Sequence, residues 1–339
     1  MNSMKRLRIA GLLSAALFLF VMSGTAQTKD DVVNAFNAGA AALKTKDYGK
    51  AVESFQQVID LGTKVGADAD SLRKVAESKI PKFQFNYAYF VVSQNKASTN
   101  AEILAAFQKA KDLADKYGDG ATSAQVEGVM PTIYLNMAFA AYSANDLTGA
   151  LANFDKVIAL DPTNTKAYYG KAVVYKKQNA FDPMVQALTK TIEVATKNSD
   201  TTTVRKSNLF LEVEYMTLAT AAYQKGDLKG TLTPLDEVFK YNPKNANAYY
   251  ILADTKNKMK EHDAALEAVT KGLLYENPKA PELVARFYLQ QGVAYAAKGD
   301  KDKAVASFKL ASVGKYAPTA AAYIKGLTAK PTVAAPVKK

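Results

Sequence analysis

The feature that most constrains this 339-residue chain is a stretch at residues 132–162 that reads as two amphipathic helices joined by a tight turn. Tyr134 and Ala138 lie four residues apart, so they share one face of the first helix. Ala150 and Phe154 share a face of the second helix in the same way. Neither helix can bury its apolar face alone, because each needs another apolar face to cover it. The stretch therefore predicts that the chain repeats this unit.

Small and large residues alternate in this unit where the two helices should pack. Ala138 and Ala150 lie at the predicted crossing, because only a small side chain lets two helix axes approach closely. In the turn, Asn145 and Asp146 provide a short polar side chain that can cap the free N–H groups of the second helix. Pro162 ends the second helix, because proline cannot continue one.

Six further copies of the unit are found along the chain. Aligned on the small residue of the first helix, the seven copies fall at Gly39, Ala88, Ala138, Ala172, Ala219, Ala253 and Gly292. Successive copies are separated by 49, 50, 34, 47, 34 and 39 residues. We interpret the longer steps as lengthened helices, with the second copy starting at Pro81. The polar stretch at residues 196–208 is the best candidate for a flexible joint.

The 34-residue steps and the alternation of small and large residues resemble the tetratricopeptide repeat. The resemblance covers most of residues 34–316 and implies an all-α fold. We expect an α-solenoid of about seven helix-turn-helix repeats over residues 27–329. A capping helix is predicted at residues 318–326, with proline near its start and glycine at its end. Residues 330–339 have too little apolar surface to fold and are predicted to be a disordered tail.

The N-terminal stretch, residues 1–26, has the pattern of a secretory signal peptide. Three basic residues precede an apolar run at residues 9–22, and Gly24 and Ala26 are the small residues that cleavage requires. The sequence predicts cleavage after Ala26 and export, into the periplasm of a bacterium. An uncleaved anchor is the alternative, although a membrane-spanning helix needs about 20 apolar residues.

The charge of the chain is strongly basic, at +12, and falls to +9 once the three basic residues of the predicted signal peptide are removed. The excess is mostly lysine, scattered without a dense run, which is typical of a solvated surface and not of a nucleic-acid groove. We therefore expect no nucleic-acid partner. Peripheral association with anionic polymers or lipids of the cell envelope is the alternative explanation of the charge.

No catalytic motif is found in the sequence. The chain has no cysteine and one histidine, His262, and it lacks both an HExxH motif and a glycine-rich phosphate loop. His262 occupies a turn position that is apolar or aromatic in other copies, so we expect it to pack. The sequence predicts no metal, no cofactor and a function that is not enzymatic.

The resemblance also implies a concave groove, lined by the first helix of each repeat, in which such proteins bind peptides or proteins. The groove residues predicted for this chain are Asn136, Phe139, Tyr142, Lys166, Tyr169, Lys177, Tyr223, Asn247, Tyr250, Asp254 and Asn257. Tyrosine and asparagine suit an extended backbone, because they combine flat apolar area with amide hydrogen bonds. The alternative is that these side chains only pack against adjacent helices.

One subclass of the family binds C-terminal carboxylates with a clamp of lysine, asparagine and arginine residues. Leu135 and Phe139 stand where this clamp needs lysine and asparagine, so the clamp is not matched. The first functional hypothesis is therefore a periplasmic scaffold that binds a protein or peptide partner in its groove. The second hypothesis is a lysine-rich protein bound to anionic envelope polymer or lipid.

Overall fold

The structure is a computed structural model that describes residues 27–93 and 99–329. Within these ranges it contains fifteen α-helices, two short 3₁₀ helices and no strand. The helices form seven consecutive helix-turn-helix pairs and a closing helix, which confirms the predicted all-α repeat fold. The predicted signal peptide at residues 1–26 and the predicted tail at residues 330–339 lie outside the described residues.

Each pair has a first and a second helix, and the closing helix follows the seventh pair. The first helices are α1 (Lys29–Lys44), α3 (Asp70–Ser93), α5 (Gly120–Ser143), α7 (Thr165–Lys177), α9 (Thr201–Gln224), α11 (Ala246–Lys258) and α13 (Pro281–Ala297). The second helices are α2 (Tyr48–Val65), α4 (Asn100–Tyr117), α6 (Leu147–Leu160), α8 (Phe181–Lys197), α10 (Leu228–Tyr241), α12 (His262–Tyr275) and α14 (Lys301–Leu310). The closing helix is α15 (Ala317–Thr328), at the position predicted for a cap.

The chain divides into two compact units, Met1–Ile133 and Tyr134–Lys339. The first unit contains α1 to α4 and the start of α5, and the second contains the rest of α5 and all later helices. No helix of the described residues combines the length and the apolar character that crossing a bilayer requires.

The turns inside the pairs follow the chemistry that the sequence predicts. Asn145 has a left-handed backbone with a φ of 62°, and Asp146 then accepts a hydrogen bond of 2.8 Å from the N–H of Gly149. Asp227 caps α10 in the same way, following Gly226 with a φ of 75°. Because asparagine and glycine tolerate this backbone and aspartate caps the next helix, the two residues together define where each turn falls.

The predicted crossings are confirmed by the burial of the small residues. Ala138 and Ala150 are both fully buried and belong to the same apolar cluster as Phe154. In the first pair, a Cβ atom added to Gly39 would lie 2.8 Å from the Phe55 ring, closer than carbon atoms can pack. A larger side chain at these positions would therefore force the two helices apart.

The longer steps between copies correspond to long first helices. Helices α3, α5 and α9 each have 24 residues, whereas α7 and α11 have 13. The interpretation of Pro81 as a start is wrong, because α3 begins at Asp70 and Pro81 lies inside it. Ile80 and Phe85 are buried on either side of this proline, and their packing holds the helix together through it.

The stretch predicted as a flexible joint, residues 196–208, contains the end of α8, a short turn and the first two turns of α9. Asp200 caps α9 by accepting a 3.0 Å hydrogen bond from the N–H of Thr203, and Ser207 is fully buried. Capping and burial explain why this polar stretch is helical from Thr201 onward. Its flexibility stays a prediction.

Candidate functional site

All the predicted groove residues lie in the second unit, on its first helices. Asn136 and Phe139 are exposed on α5, where the Phe139 ring meets the buried Phe154 ring edge to face, with centroids 5.4 Å apart. Lys166 is exposed at the start of α7. These three side chains are accessible to a partner.

Aromatic contacts join α5, α7 and α9 along this face. The Lys177 ammonium on α7 lies 4.8 Å from the centroid of the Tyr142 ring on α5. The Tyr169 ring on α7 is 6.0 Å from the Phe210 ring on α9, measured between centroids. The predicted residues Tyr142, Tyr169 and Lys177 therefore line the face and also hold its helices together.

A polar triad joins α9 to α11. The Tyr223 hydroxyl donates a hydrogen bond to Asp254, and the Lys258 ammonium lies 2.6 Å from Asp254 Oδ2 and 3.2 Å from the Tyr223 oxygen. Burial and the bond to the carboxylate raise the pKa of Tyr223. The structure thus brings together two predicted residues, Tyr223 and Asp254, and fixes the rotamers of both.

Arg286 on α13 is a site residue that the sequence analysis did not select. Its side chain donates to Asn247 Oδ1 at 2.9 Å and to Glu276 Oε2 at 2.6 Å. Its guanidinium carbon lies 4.7 Å from the centroid of the Tyr250 ring and 5.2 Å from that of Phe287. Burial raises the pKa of Tyr250 to about 12. Arg286 thereby holds two predicted residues, Asn247 and Tyr250, in place.

Asn257 does not present its side chain to the face. It is 7% exposed, and its amide nitrogen donates to the backbone oxygen and to Oε1 of Gln290, at 2.9 and 3.0 Å. Its Oδ1 lies 3.2 Å from Nδ1 of His262, which is half-buried. For Asn257 the structure favours the alternative of packing between helices, and His262 packs beside it as expected.

A cleft of about 530 Å³ runs between α9 and the start of α11. It is lined by Glu212, Val213, Met216, Thr217, Thr220, Ala221, Gln224, Asn245 and Asn247. Glu212 Oε1 accepts hydrogen bonds of 2.7 Å from the side-chain amides of Asn242 and Asn245. The cleft therefore combines a methionine, hydroxyl groups and amides with a single carboxylate.

A larger cleft, of about 720 Å³, lies beside the first turns of α9, between the end of α8 and the end of α10. Leu209 on its wall is 58% exposed, and Arg205 and Tyr241 also line it. Its lining contains none of the predicted groove residues, but it shares Glu212 with the cleft between α9 and α11. No group of three or more histidine, aspartate or glutamate side chains suited to a metal ion occurs in residues 27–93 and 99–329.

These observations define an α-helical repeat protein with a polar and aromatic face on its first helices. A family model described as a TPR repeat matches residues 139–179, and a second, described as a tetratricopeptide repeat, matches residues 35–61 and 285–312. The matched segments fall in the first, third, fourth and seventh helix pairs. The chain therefore contains tetratricopeptide repeats in these segments. No curated protein matches its sequence.

Several solved structures are similar to this chain. A crystal structure of MamA protein is 26% identical, with 58% of this chain and 96% of that one covered and a TM-score of 0.32. YrrB, described as a TPR protein with an unusual peptide-binding site, is 23% identical over 57% of this chain and 91% of its own, with a TM-score of 0.32. A tetratricopeptide repeat protein from Parabacteroides merdae is 16% identical over 88% and 100%, with a TM-score of 0.29. TM-scores this low do not define a shared overall fold.

Proposed function

We propose that this protein is a scaffold, without catalytic activity, that binds a protein or peptide partner on the face formed by α5, α7, α9, α11 and α13. The observation that carries the proposal is the cleft between α9 and α11. Thr220, Gln224 and Asn247 line it and offer hydroxyl and amide groups to a peptide backbone. Met216 adds a flexible apolar surface that adapts to different side chains.

Two tyrosines on the helices that form this cleft are already held in position before a partner binds. Tyr223 is fixed by Asp254 and Lys258, and Tyr250 is fixed by the guanidinium of Arg286. Immobilising a free side chain on binding costs about 0.5–1.5 kcal/mol, and a side chain that is already fixed avoids this cost. Preorganised tyrosines therefore favour binding of an extended segment.

The experiment that tests the proposal places a photoreactive amino acid at Tyr169 or Tyr250, one at a time, and identifies captured proteins by mass spectrometry. Matched controls carry the same group at Thr189 and Lys271, which are exposed on the second helices α8 and α12. We expect one partner from both tyrosine positions and not from the controls. Capture of a partner from the control positions alone would show that the face on the first helices is not the binding surface.

The proposal includes export of the protein to the periplasm, which is supported by the sequence pattern of residues 1–26. Cell fractionation and N-terminal sequencing of the full chain test it. We expect a periplasmic protein that begins at Gln27, whereas an unprocessed chain in the cytoplasm would contradict the proposal.

Association with anionic envelope polymer or lipid is the second candidate function, favoured by the basic charge of the chain, which is +12 in full and +9 without residues 1–26. Salt separates the two candidates, because exposed charges are screened within about 10 Å at 0.1 M salt and over shorter distances as the salt concentration rises. If the protein is released from isolated envelopes above about 0.3 M salt, the result would support binding through the charge of the lysines. If the protein stays bound to the envelopes at this salt concentration, the result would support binding of a partner on the face of the first helices.

A further inference from the structure

Several charged side chains on the candidate face are neutralised within the protein. Three ion pairs link neighbouring helices or successive turns there: Lys176 with Glu214, Lys258 with Asp254, and Arg286 with Glu276. In each of these pairs the cation already has a carboxylate, so it is not free for a ligand.

Two lysines on α7 are different. Lys166 and Lys177 are both exposed, and neither forms an ion pair with any described residue. They are 11 residues apart, which is close to three helical turns, so they lie on the same side of α7 and about 16 Å apart along its axis. Tyr169 and Val173 lie between them at helical spacing. The α7 part of the face thus carries two unneutralised positive charges.

The cleft between α9 and α11 has the opposite sign. The Glu212 carboxylate on its wall accepts two amide hydrogen bonds but has no cationic partner among the described residues. A ligand carboxylate placed in this cleft would be repelled by Glu212, whereas one placed on α7 would be attracted by Lys166 and Lys177. The charges therefore distinguish the two ends of a bound segment.

We infer that the partner segment is an acidic peptide, with carboxylates at one end that bind Lys166 and Lys177 and an uncharged end that occupies the cleft between α9 and α11. The inference rests on the proposed function, because it assigns the chemistry of the partner on the same face. This binding mode differs from a carboxylate clamp, because the side-chain carboxylates of the peptide bind to the lysines of α7 and are excluded from the cleft.

The test uses a library of random 12-residue peptides, selected against the full chain and against two double variants. The first variant, Lys166→Gln with Lys177→Gln, removes the unpaired charges on α7. The control, Lys229→Gln with Lys271→Gln, removes two exposed lysines from α10 and α12 and has the same net charge. All four positions are exposed, and circular dichroism checks that each variant folds, because Lys177→Gln also removes the contact with the Tyr142 ring.

We expect the unmodified chain and the control to select peptides with aspartate and glutamate concentrated toward one end. The α7 variant should lose this enrichment and bind a selected acidic peptide about fivefold more weakly at 0.1 M salt, as expected for two exposed ion pairs. The difference should shrink at about 0.5 M salt. Glu212→Gln should let selected peptides carry acidic residues at both ends.

The possible failures are distinguishable. The variant Thr220→Lys fills the cleft and should block peptides that bind there. If the selected peptides are blocked by this variant but show no acidic enrichment, the inference is overturned and the proposed function is left intact. If no peptide is selected by any form of the protein, both are wrong. If no peptide is selected but phosphatidylglycerol vesicles bind and lose affinity in the α7 variant, the lysines recognise lipid and the inference is also overturned.

Discussion

Replacing Arg286 by methionine should weaken the last repeats more than any surface change. Methionine keeps most of the apolar stem but removes the cation that pairs with Glu276. The Arg286 and Glu276 side chains are 10% and 9% exposed, so the remaining carboxylate would stay buried without a counter-charge. Asn247 would lose its hydrogen bond from the same guanidinium.

The magnitude follows from the burial of this pair. Removing one partner of a buried ion pair costs about 3–5 kcal/mol, because the other charge is left unpaired. We expect the lower end, about 3 kcal/mol, since Glu276 lies in the C-terminal cap of α12 and can turn toward solvent. The double variant Arg286→Met with Glu276→Gln removes both charges and should recover most of this loss, to within about 1 kcal/mol.

Hydrogen exchange is the suitable assay, because repeat proteins lose stability locally. Protection in α11 to α13 should fall by about 10²-fold in the single variant and recover in the double variant. Helices α1 and α2 should not change. The matched control is Arg205→Met, since Arg205 is exposed and forms no ion pair with the described residues. A single variant that loses less than about tenfold in protection would refute the idea that this charge pair holds the helices together.

Two further predictions concern packing and pH. Gly272→Ala should lower the free energy of unfolding by about 1–3 kcal/mol, because the new Cβ atom would lie 2.0 Å from the Phe287 ring. Gly128→Ala, where a Cβ atom meets nothing within 4 Å, should raise it by about 0.5–1 kcal/mol, and thermal melting compares the two variants. Burial raises the pKa of Tyr250 to about 12, so the neutral phenol stabilises the fold below about pH 10 and this contribution is lost as the pH rises from about 10 to about 12. Tyr250→Phe should remove the last step of an absorbance titration at 295 nm, and an unchanged titration would contradict the assignment.

The repeat itself could be predicted from the sequence because its signals are local. Tyr134, Ala138, Ala150 and Phe154 specify one helix pair through their spacing, and Asp146 marks its turn. Each of these signals depends on residues within about two helical turns, so a single sequence is enough to read them. Seven copies in the same order then predicted the seven helix pairs that the structure contains.

The candidate site was less predictable because its contacts join distant residues. The position of Asn257 on α11 predicts an accessible side chain, but Gln290, 33 residues later in the chain, covers it. In the sequence, nothing distinguishes Arg286 from the many other basic residues, because its hydrogen bond is to Asn247, 39 residues earlier in the chain. The cleft between α9 and α11 depends on the distance between two helices, which no local pattern specifies.

The departures from the regular repeat are where this chain's own binding properties should arise. A regular first helix, such as α7 or α11, has 13 residues, whereas α9 has 24. The additional turns of α9 carry Arg205 and Leu209 on the wall of the larger cleft. Glu212, the residue at which a helix of regular length would begin, accepts hydrogen bonds from the amides of Asn242 and Asn245 and gives the smaller cleft its negative charge. Replacing Glu212 by glutamine would remove the charge difference between the cleft and α7, while the packing of small and large residues that builds the repeats would be unchanged. Stability and specificity are therefore encoded by different residues of the same helices.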